Sequence, residues 1–250
     1  MRKHGQGTWN IIRFNWHFYL AATGGMLVLG AAATYNAILH PYIYVLMSLV
    51  AGPVLVSLAV SYYVYDYSNL YTLDWLPCEE VACDELVVNI HAGFDETSAL
   101  LRQRFGQAAM RVLDFYDPAQ HTEISIRRAR VACPPFPNTE SVRPHALPLA
   151  DACAKRIFVL LAAHEIRQPV QRDAFFAELC RVLHPHGRIV VVEHLRDPAN
   201  FMAYTVGFLH FYSRATWQRA FRHSGLVLEQ EQKITPFISA FILRQNGNAA

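Results

Sequence analysis

From Phe14 to Tyr65 the chain carries no Asp, Glu, Lys or Arg. A membrane helix needs about 20 mainly apolar residues, and this run has room for two. Asn36, His40 and Pro41 mark a break, which predicts one span over Trp16 to Leu39 and a second over Tyr42 to Val64. Pro53 falls inside the second span and predicts a kink there. Lipid-buried helices tolerate this where neighbours satisfy the freed carbonyl. Trp16, Phe18 and Tyr19 sit at one edge, and Tyr62, Tyr63, Tyr65 and Tyr67 at the other. Such rings favour the headgroup level. A cleaved signal peptide has a much shorter apolar core of about 7–15 residues; a hairpin buried in a soluble core is the competing structural reading. Arg2, Lys3 and Arg13 precede the first span and the hairpin tip carries only His40, so the positive-inside bias places both ends in the cytoplasm.

The rest of the 250-residue chain is long enough for one α/β domain. A net charge of +2 with scattered Lys and Arg gives no footprint for nucleic acid. Five cysteines, with Cys78 and Cys83 outside any C-x-x-C pair, predict reduced thiols rather than a disulfide framework or a structural zinc. Residues 1–66 read as the membrane hairpin, 67–84 as an aromatic linker along the interface or against the soluble domain, and 85–246 as that domain.

From Glu85 onward strand and helix patterns alternate. ELVVNI, MRVLDFYD, RIFVLLAAHE and RIVVVEHL read as strands, with helices over 95–105, 118–132, 171–183 and 215–224 between and after them. The run RIVVVEHL is apolar almost throughout, as expected when both faces of a strand are covered. LVLEQEQKI and SAFILRQ are joined by only TPFI. The predicted fold is therefore a Rossmann-like, doubly wound, mostly parallel sheet with an antiparallel C-terminal hairpin, preceded by two transmembrane helices.

The order of motifs over 85–245 resembles the class I S-adenosylmethionine-dependent methyltransferases, in the broad group that modifies quinones and lipids. FFAELCRVLHPHGRIVVVEHLRDP carries the resemblance most specifically: a helix ends in a Leu-x-Pro-x-Gly turn and feeds the fifth strand. The resemblance implies S-adenosylmethionine as cofactor. It implies that ALPLAD, with Leu147, lies near the adenine. It also implies that an acid at the end of the second strand binds the ribose, with Asp117 the best match and Asp114 the fallback. The family's glycine loop is altered in VVNIHAGFDETS. Asn89 stands at the acidic place, and His91, Gly93 and Asp95 at the glycine places. Asp95 either pairs with the cofactor's amino group or caps the next helix.

In open α/β sheets, ligands bind beyond the carboxyl ends of the strands. Read to those ends, the strands bring His91, Asp117 with His121, His164 with Glu165, and Glu193 with His194 to one rim. Three readings compete. One is acid–base catalysis by His164 or His194, with Glu165 and Glu193 as orienting partners. Another is a divalent metal on His and carboxylate, although no close ligand spacing marks one. The third is that each polar residue caps a helix or braces a loop. The apolar segment NFMAYTVGFLHFYS, with Tyr204, Phe208 and His210, corresponds to a region that covers substrate in the resembled family. The expected function is a membrane-anchored methyltransferase that meets a hydrophobic small-molecule acceptor at the bilayer. The alternatives are a degenerate fold with other chemistry or a tethered binding subunit.

Overall fold

The computed structural model describes residues 3–35, 37–76, 82, 84–106 and 108–247. Arg2, Asn36 of the expected break, Cys78 and Cys83, part of the expected linker (77–81) and the tail from 248 lie outside them. The chain opens with α1 (Gln6–Phe14), α2 (Trp16–Tyr35) and α3 (His40–Tyr62), which runs on through a π-helical turn (Tyr63–Tyr67). Trp16–Tyr35 and Ala37–Tyr67 are long and apolar enough to cross a membrane; their most apolar stretches are 0% and 6% buried. Leu27, Val28, Leu49 and Leu55 all face outward, so the reading as a hairpin buried in a soluble core fails.

The α/β part places β1 (Leu86–His91), β2 (Ala109–Asp114), β3 (Glu140–Ser141), β4 (Ala154–Leu160), β5 (Leu183–His194), β6 (Leu226–Thr235) and β7 (Ile238–Gln245) in one sheet, in the order β3-β2-β1-β4-β5-β7-β6. Strands β1 to β5 pair in parallel, and β7 runs antiparallel between β5 and β6. The helices are α4 (Ser98–Arg104), α5 (Ile124–Ala132), α6 (Pro169–Val182), α7 (Pro198–Tyr204) and α8 (Arg214–His223). Pro169 and Pro198 open α6 and α7, where a missing N–H costs nothing. Asp197 and Ser213 cap α7 and α8 by accepting from Asn200 N and Thr216 N.

Side-chain alternation sets the two faces of the sheet. On β5, Ile189 and Val191 join Phe175, Phe176, Trp217 and Phe221 in one core, while Val190 and Val192 join a second core with Val64, Leu70, Leu73 and Leu76. The stretch after the hairpin thus packs on the sheet through three leucines, the second of its two expected positions. Trp75 stays with it, its indole N–H donating to Leu70 O (3.1 Å). α1 is fastened to the end of the hairpin: the Asp66 carboxylate accepts from Gly7 N and Thr8 N, both at 2.8 Å. A carboxylate there also suits the positive end of the helix.

Several elements start or stop away from their predicted bounds: α4 begins at Ser98, β2 stops at Asp114 and β5 already begins at Leu183, through the expected turn. The helix expected over 118–132 begins only at Ile124, because the Asp117 carboxylate accepts from Ala119 N and Gln120 Nε2 and folds a turn instead. The strand expected to reach Glu165 stops at Leu160. Leu161 has φ 53, in the left-handed region, and Ala163–Glu165 form a 3-10 turn.

Candidate active site at the carboxyl rim of the sheet

Strands β1 and β2 end side by side, with His91 in register with Asp114. Asn89 faces α4 and donates from Nδ2 to Ser98 Oγ (2.7 Å) and Thr97 Oγ1 (3.1 Å). Asp95 caps α4: its Oδ1 accepts from Thr97 N and Ser98 N, both at 2.9 Å. His91 Nδ1 accepts from Gly93 N (3.2 Å), so the neutral ring carries its proton on Nε2. Burial holds the His91 pKa below its ordinary value, with Arg130 acting the same way against the pull of Asp95 and Asp114. Three buried polar atoms here have no partner in the structure: Asn89 Oδ1, His91 Nε2 and Asp95 Oδ2. Gly93 has φ +90, and a Cβ there would meet the Tyr116 ring at 2.9 Å, so only glycine fits this close approach. Asp114 is buried; it accepts from Tyr116 N (2.9 Å) and pairs with Arg130.

Strands β4 and β5 carry the second group. His164 Nδ1 lies 2.7 Å from Glu193 Oε2, and its backbone N–H donates to Glu193 Oε1 (3.1 Å). Its Nε2 lies 3.3 Å from Glu165 Oε1. His210, from the segment after α7, places Nε2 3.8 Å from the same oxygen and Nδ1 2.8 Å from Glu123 Oε1. Burial alone would lower the His164 pKa, but the two carboxylates outweigh it and raise the pKa to about 10. Burial likewise acts to raise Glu165, and His164 and His210 reverse it, holding the carboxyl well below its usual range. Glu123 is also lowered, first by its bond to His210.

His194 follows Glu193 in the strand and so points to the opposite face. Its Nε2 sits 2.7 Å from Tyr65 Oη and its Nδ1 3.0 Å from Asn200 Oδ1. Asn200 donates from Nδ2 to Asp197 Oδ1 (3.0 Å) and Phe237 O (3.1 Å), which fixes its oxygen toward the ring. His194 therefore keeps its proton on Nδ1 and accepts the Tyr65 hydroxyl on Nε2. Burial drops its pKa to about 4. Phe211 stacks on the ring at 4.6 Å, and Tyr204 meets it edge-on at 5.4 Å.

The rim thus collects Asn89, His91, Asp95, Asp114, His164, Glu165, Glu193 and His194, as three groups rather than one. Asp117 lies past the end of β2, half-buried, and its carboxylate is spent on its own turn. The acid that ends the strand is Asp114. Leu147 does not reach the rim. It is buried in the main core, and its backbone is held by Glu178 and Arg181 near the C-terminal end of α6, toward the amino edge of the sheet. Phe208 packs on Phe201, ring centroids 5.1 Å apart. Glu123, Asn200 and Tyr65 were missed as site residues. Tyr65 reads in the sequence as an interfacial ring, and nothing local ties it to a strand 129 residues later. Asn200 did carry a signal, as the third residue after the capping Asp197 and its Pro198.

No protein-family model matches the chain, and no curated protein does. Solved structures do. The protein assigned as a methyltransferase in the complex with the Haloferax volcanii Trm112 methyltransferase activator is 14% identical, with 73% of this chain and 90% of that one covered at a TM-score of 0.51. A SAM-dependent methyltransferase from Methanosarcina mazei is 13% identical over 66% and 94% of the two chains, with a TM-score of 0.49. Geranyl diphosphate C-methyltransferase from Streptomyces coelicolor A3(2) is 14% identical over 66% and 73%, at 0.46. With its strand order and antiparallel β7, the chain has the class I S-adenosylmethionine-dependent methyltransferase fold.

Proposed function

We propose that the chain is an S-adenosylmethionine-dependent methyltransferase, anchored in a membrane by α2 and α3, that acts on a hydrophobic ring-bearing or lipid-like acceptor. One observation carries the reading: between the end of β1 and the head of α4 lie three buried polar atoms without hydrogen bonds, and two of them, His91 Nε2 and Asp95 Oδ2, face each other across 4.0 Å. A buried orphan polar atom costs about 1–3 kcal/mol, so three together favour a ligand that satisfies them. Two are acceptors and one is a donor. That set suits an amino-acid end, with its ammonium toward Asn89 Oδ1 and Asp95 Oδ2 and its carboxylate toward His91 Nε2–H. S-adenosylmethionine carries such an end and, when bound, supplies an electrophilic methyl on a sulfonium.

The chain's own residues would do the rest by alignment and proton handling. In the metal-free chain His164 is held protonated between Glu193 and Glu165 and serves there as a cation. His194 is neutral, with an Nε2 lone pair that accepts a hydrogen bond from the Tyr65 hydroxyl, and it is the base of this reading. Tyr65 and Tyr204 stand between it and the hairpin. The segment Phe201 to Leu209 exposes Phe201, Met202, Val206 and Leu209, and α7 packs on α3. An apolar acceptor drawn from the bilayer would meet that surface first, and fixing the domain there raises the effective concentration. Lys3 and Arg13 support a cytoplasmic position for both ends of the hairpin.

Titration of the full chain in detergent with labelled S-adenosylmethionine tests the cofactor. Asp95→Asn keeps the Oδ1 cap and replaces Oδ2 with a donor; binding is expected to weaken at least about tenfold with the melting temperature held. A folded chain that binds none would leave a tethered binding subunit, a role favoured by Tyr116 and Phe14 closing on the loop at Gly93 and Phe94. Label transferred into an apolar membrane extract then tests the acceptor.

A further inference from the structure

His164, Glu165 and His210 place one ligand atom each within 4.8 Å of one another. Donors about 2.0–2.2 Å from a common ion lie roughly 3–3.5 Å apart. The separations to Glu165 Oε1 are 3.3 Å and 3.8 Å, and the third side of the triangle lies within 4.8 Å, so the side chains must close by up to about 1 Å around an ion. The orientation of the rings is more telling than their distance. Both histidines turn Nε2 toward Glu165 and give Nδ1 to a carboxylate, Glu193 at 2.7 Å and Glu123 at 2.8 Å. A carboxylate on the far nitrogen is what fixes the tautomer and raises the basicity of metal-bound histidine.

Charge points the same way. Three carboxylates surround two imidazoles, and Arg167 reaches in from a half-exposed position. Its Nη2 lies 2.6 Å and 2.7 Å from the two ring nitrogens of His210 and 3.2 Å from Glu123 Oε1. The guanidinium thus covers His210 from the Glu123 side and must give way before His210 Nε2 can take an ion; its flexible side chain can swing to solvent.

From this geometry we infer that His164 Nε2, His210 Nε2 and a Glu165 oxygen form a binding site for a divalent first-row transition ion, with Glu193 and Glu123 positioning the rings and Arg167 as the cation displaced. Two imidazoles and one carboxylate select such an ion over Mg²⁺ or Ca²⁺, which prefer all-oxygen sets. Three protein ligands leave positions open for water or an acceptor oxygen. The site is separate from the β1–α4 loop and does not depend on S-adenosylmethionine binding there.

Cobalt titration of the full chain in detergent, read by visible absorption and elemental analysis, tests it. One Co²⁺ per chain is expected, with a visible ligand-field spectrum. His210→Ala lies on a surface segment and should abolish binding without unfolding the domain; Glu165→Gln should do the same. Glu193→Gln should weaken binding roughly 10–100-fold, and Arg167→Ala should tighten it several-fold. The exposed pair His184 and His186 offers an adventitious alternative. Binding that survives His210→Ala but is lost in His186→Ala overturns the site, as does no bound cobalt in the folded wild type. S-adenosylmethionine binding measured on the same samples keeps the two readings apart: cobalt without cofactor sinks only the transferase, and cofactor without cobalt sinks only the metal site.

Discussion

The two sides of the rim use the same residue types and hold them in opposite charge states. Beside β1, His91 is buried near Asp95 and Asp114, yet its pKa falls. Beside β4, His164 is buried near Glu165 and Glu193, and its pKa rises to about 10. Contact makes the difference. Glu193 lies 2.7 Å from His164 Nδ1, whereas Asp114 and Asp95 stand 3.7 Å and 4.0 Å from the His91 ring nitrogens. Asp114 is already neutralised by Arg130, and one oxygen of Asp95 is spent on the α4 cap. Burial alone disfavours an imidazolium, and only a carboxylate in direct contact reverses it. The β4–β5 side is therefore a closed ionic cluster, and the β1–β2 side a neutral cradle with orphan atoms.

The largest expected effect comes from opening the closed side. Glu193→Ala leaves the buried His164 imidazolium with Glu165 alone and an empty space on its Nδ1 side. Breaking such a buried pair costs about 3–5 kcal/mol, to be read from denaturant unfolding in detergent. On the other side, Gly93→Ala forces a Cβ into the Tyr116 ring at a positive φ and should cost more than about 1 kcal/mol. Gly93→Ala in a Tyr116→Ala background should recover the steric part but keep the backbone strain. Tyr65→Phe removes the hydroxyl on His194 Nε2 and should cost about 1–3 kcal/mol, the range for a buried group left unpartnered. Asp95→Ala removes the α4 cap and should cost about 1 kcal/mol, the smallest of the four.

Acidity sharpens the contrast. His194 has a folded pKa of about 4, below its unfolded value of about 6.5. The unfolded chain binds more protons between those values, so this stability is full above about pH 6.5 and is lost as pH falls toward 4. The slope from one such proton approaches about 1.4 kcal/mol per pH unit. His164 behaves oppositely in the metal-free protein. Its contribution is full below about pH 6.5 and is lost as pH rises through about 10. An unfolding midpoint followed against pH should fall at both ends. Glu193→Gln should shift the alkaline fall to lower pH, Glu165 still supporting the imidazolium, and leave the acid one; an alkaline fall at unchanged pH in that variant would mean another group causes it.

Strand identity was legible wherever apolar runs were long. The IVVV run of β5 and the closely spaced final pair could hardly read otherwise. The rim was legible too, because a parallel sheet sends every carboxyl end to one edge. Asp95 illustrates the limit. Capping and ligand pairing looked like alternatives in the sequence, yet one oxygen caps α4 while the other remains open. Strand β2 ends at Asp114, short of the expected Asp117. The chain turns on its own carboxylate there, which spacing alone does not reveal.

By itself the sequence determined the uncharged helices, the alternation that builds the sheet, and the strand-end residues His91, Glu193 and His194 of the rim, since these follow from local periodicity and the direction of each strand. Only the tertiary structure decided how those residues pair. Glu193 and His194 are neighbours in the chain, but the pleat turns one to His164 and the other to Tyr65 of the hairpin. Protonation depends on contacts within about 3–4 Å between distant segments, and no linear pattern encodes such distances.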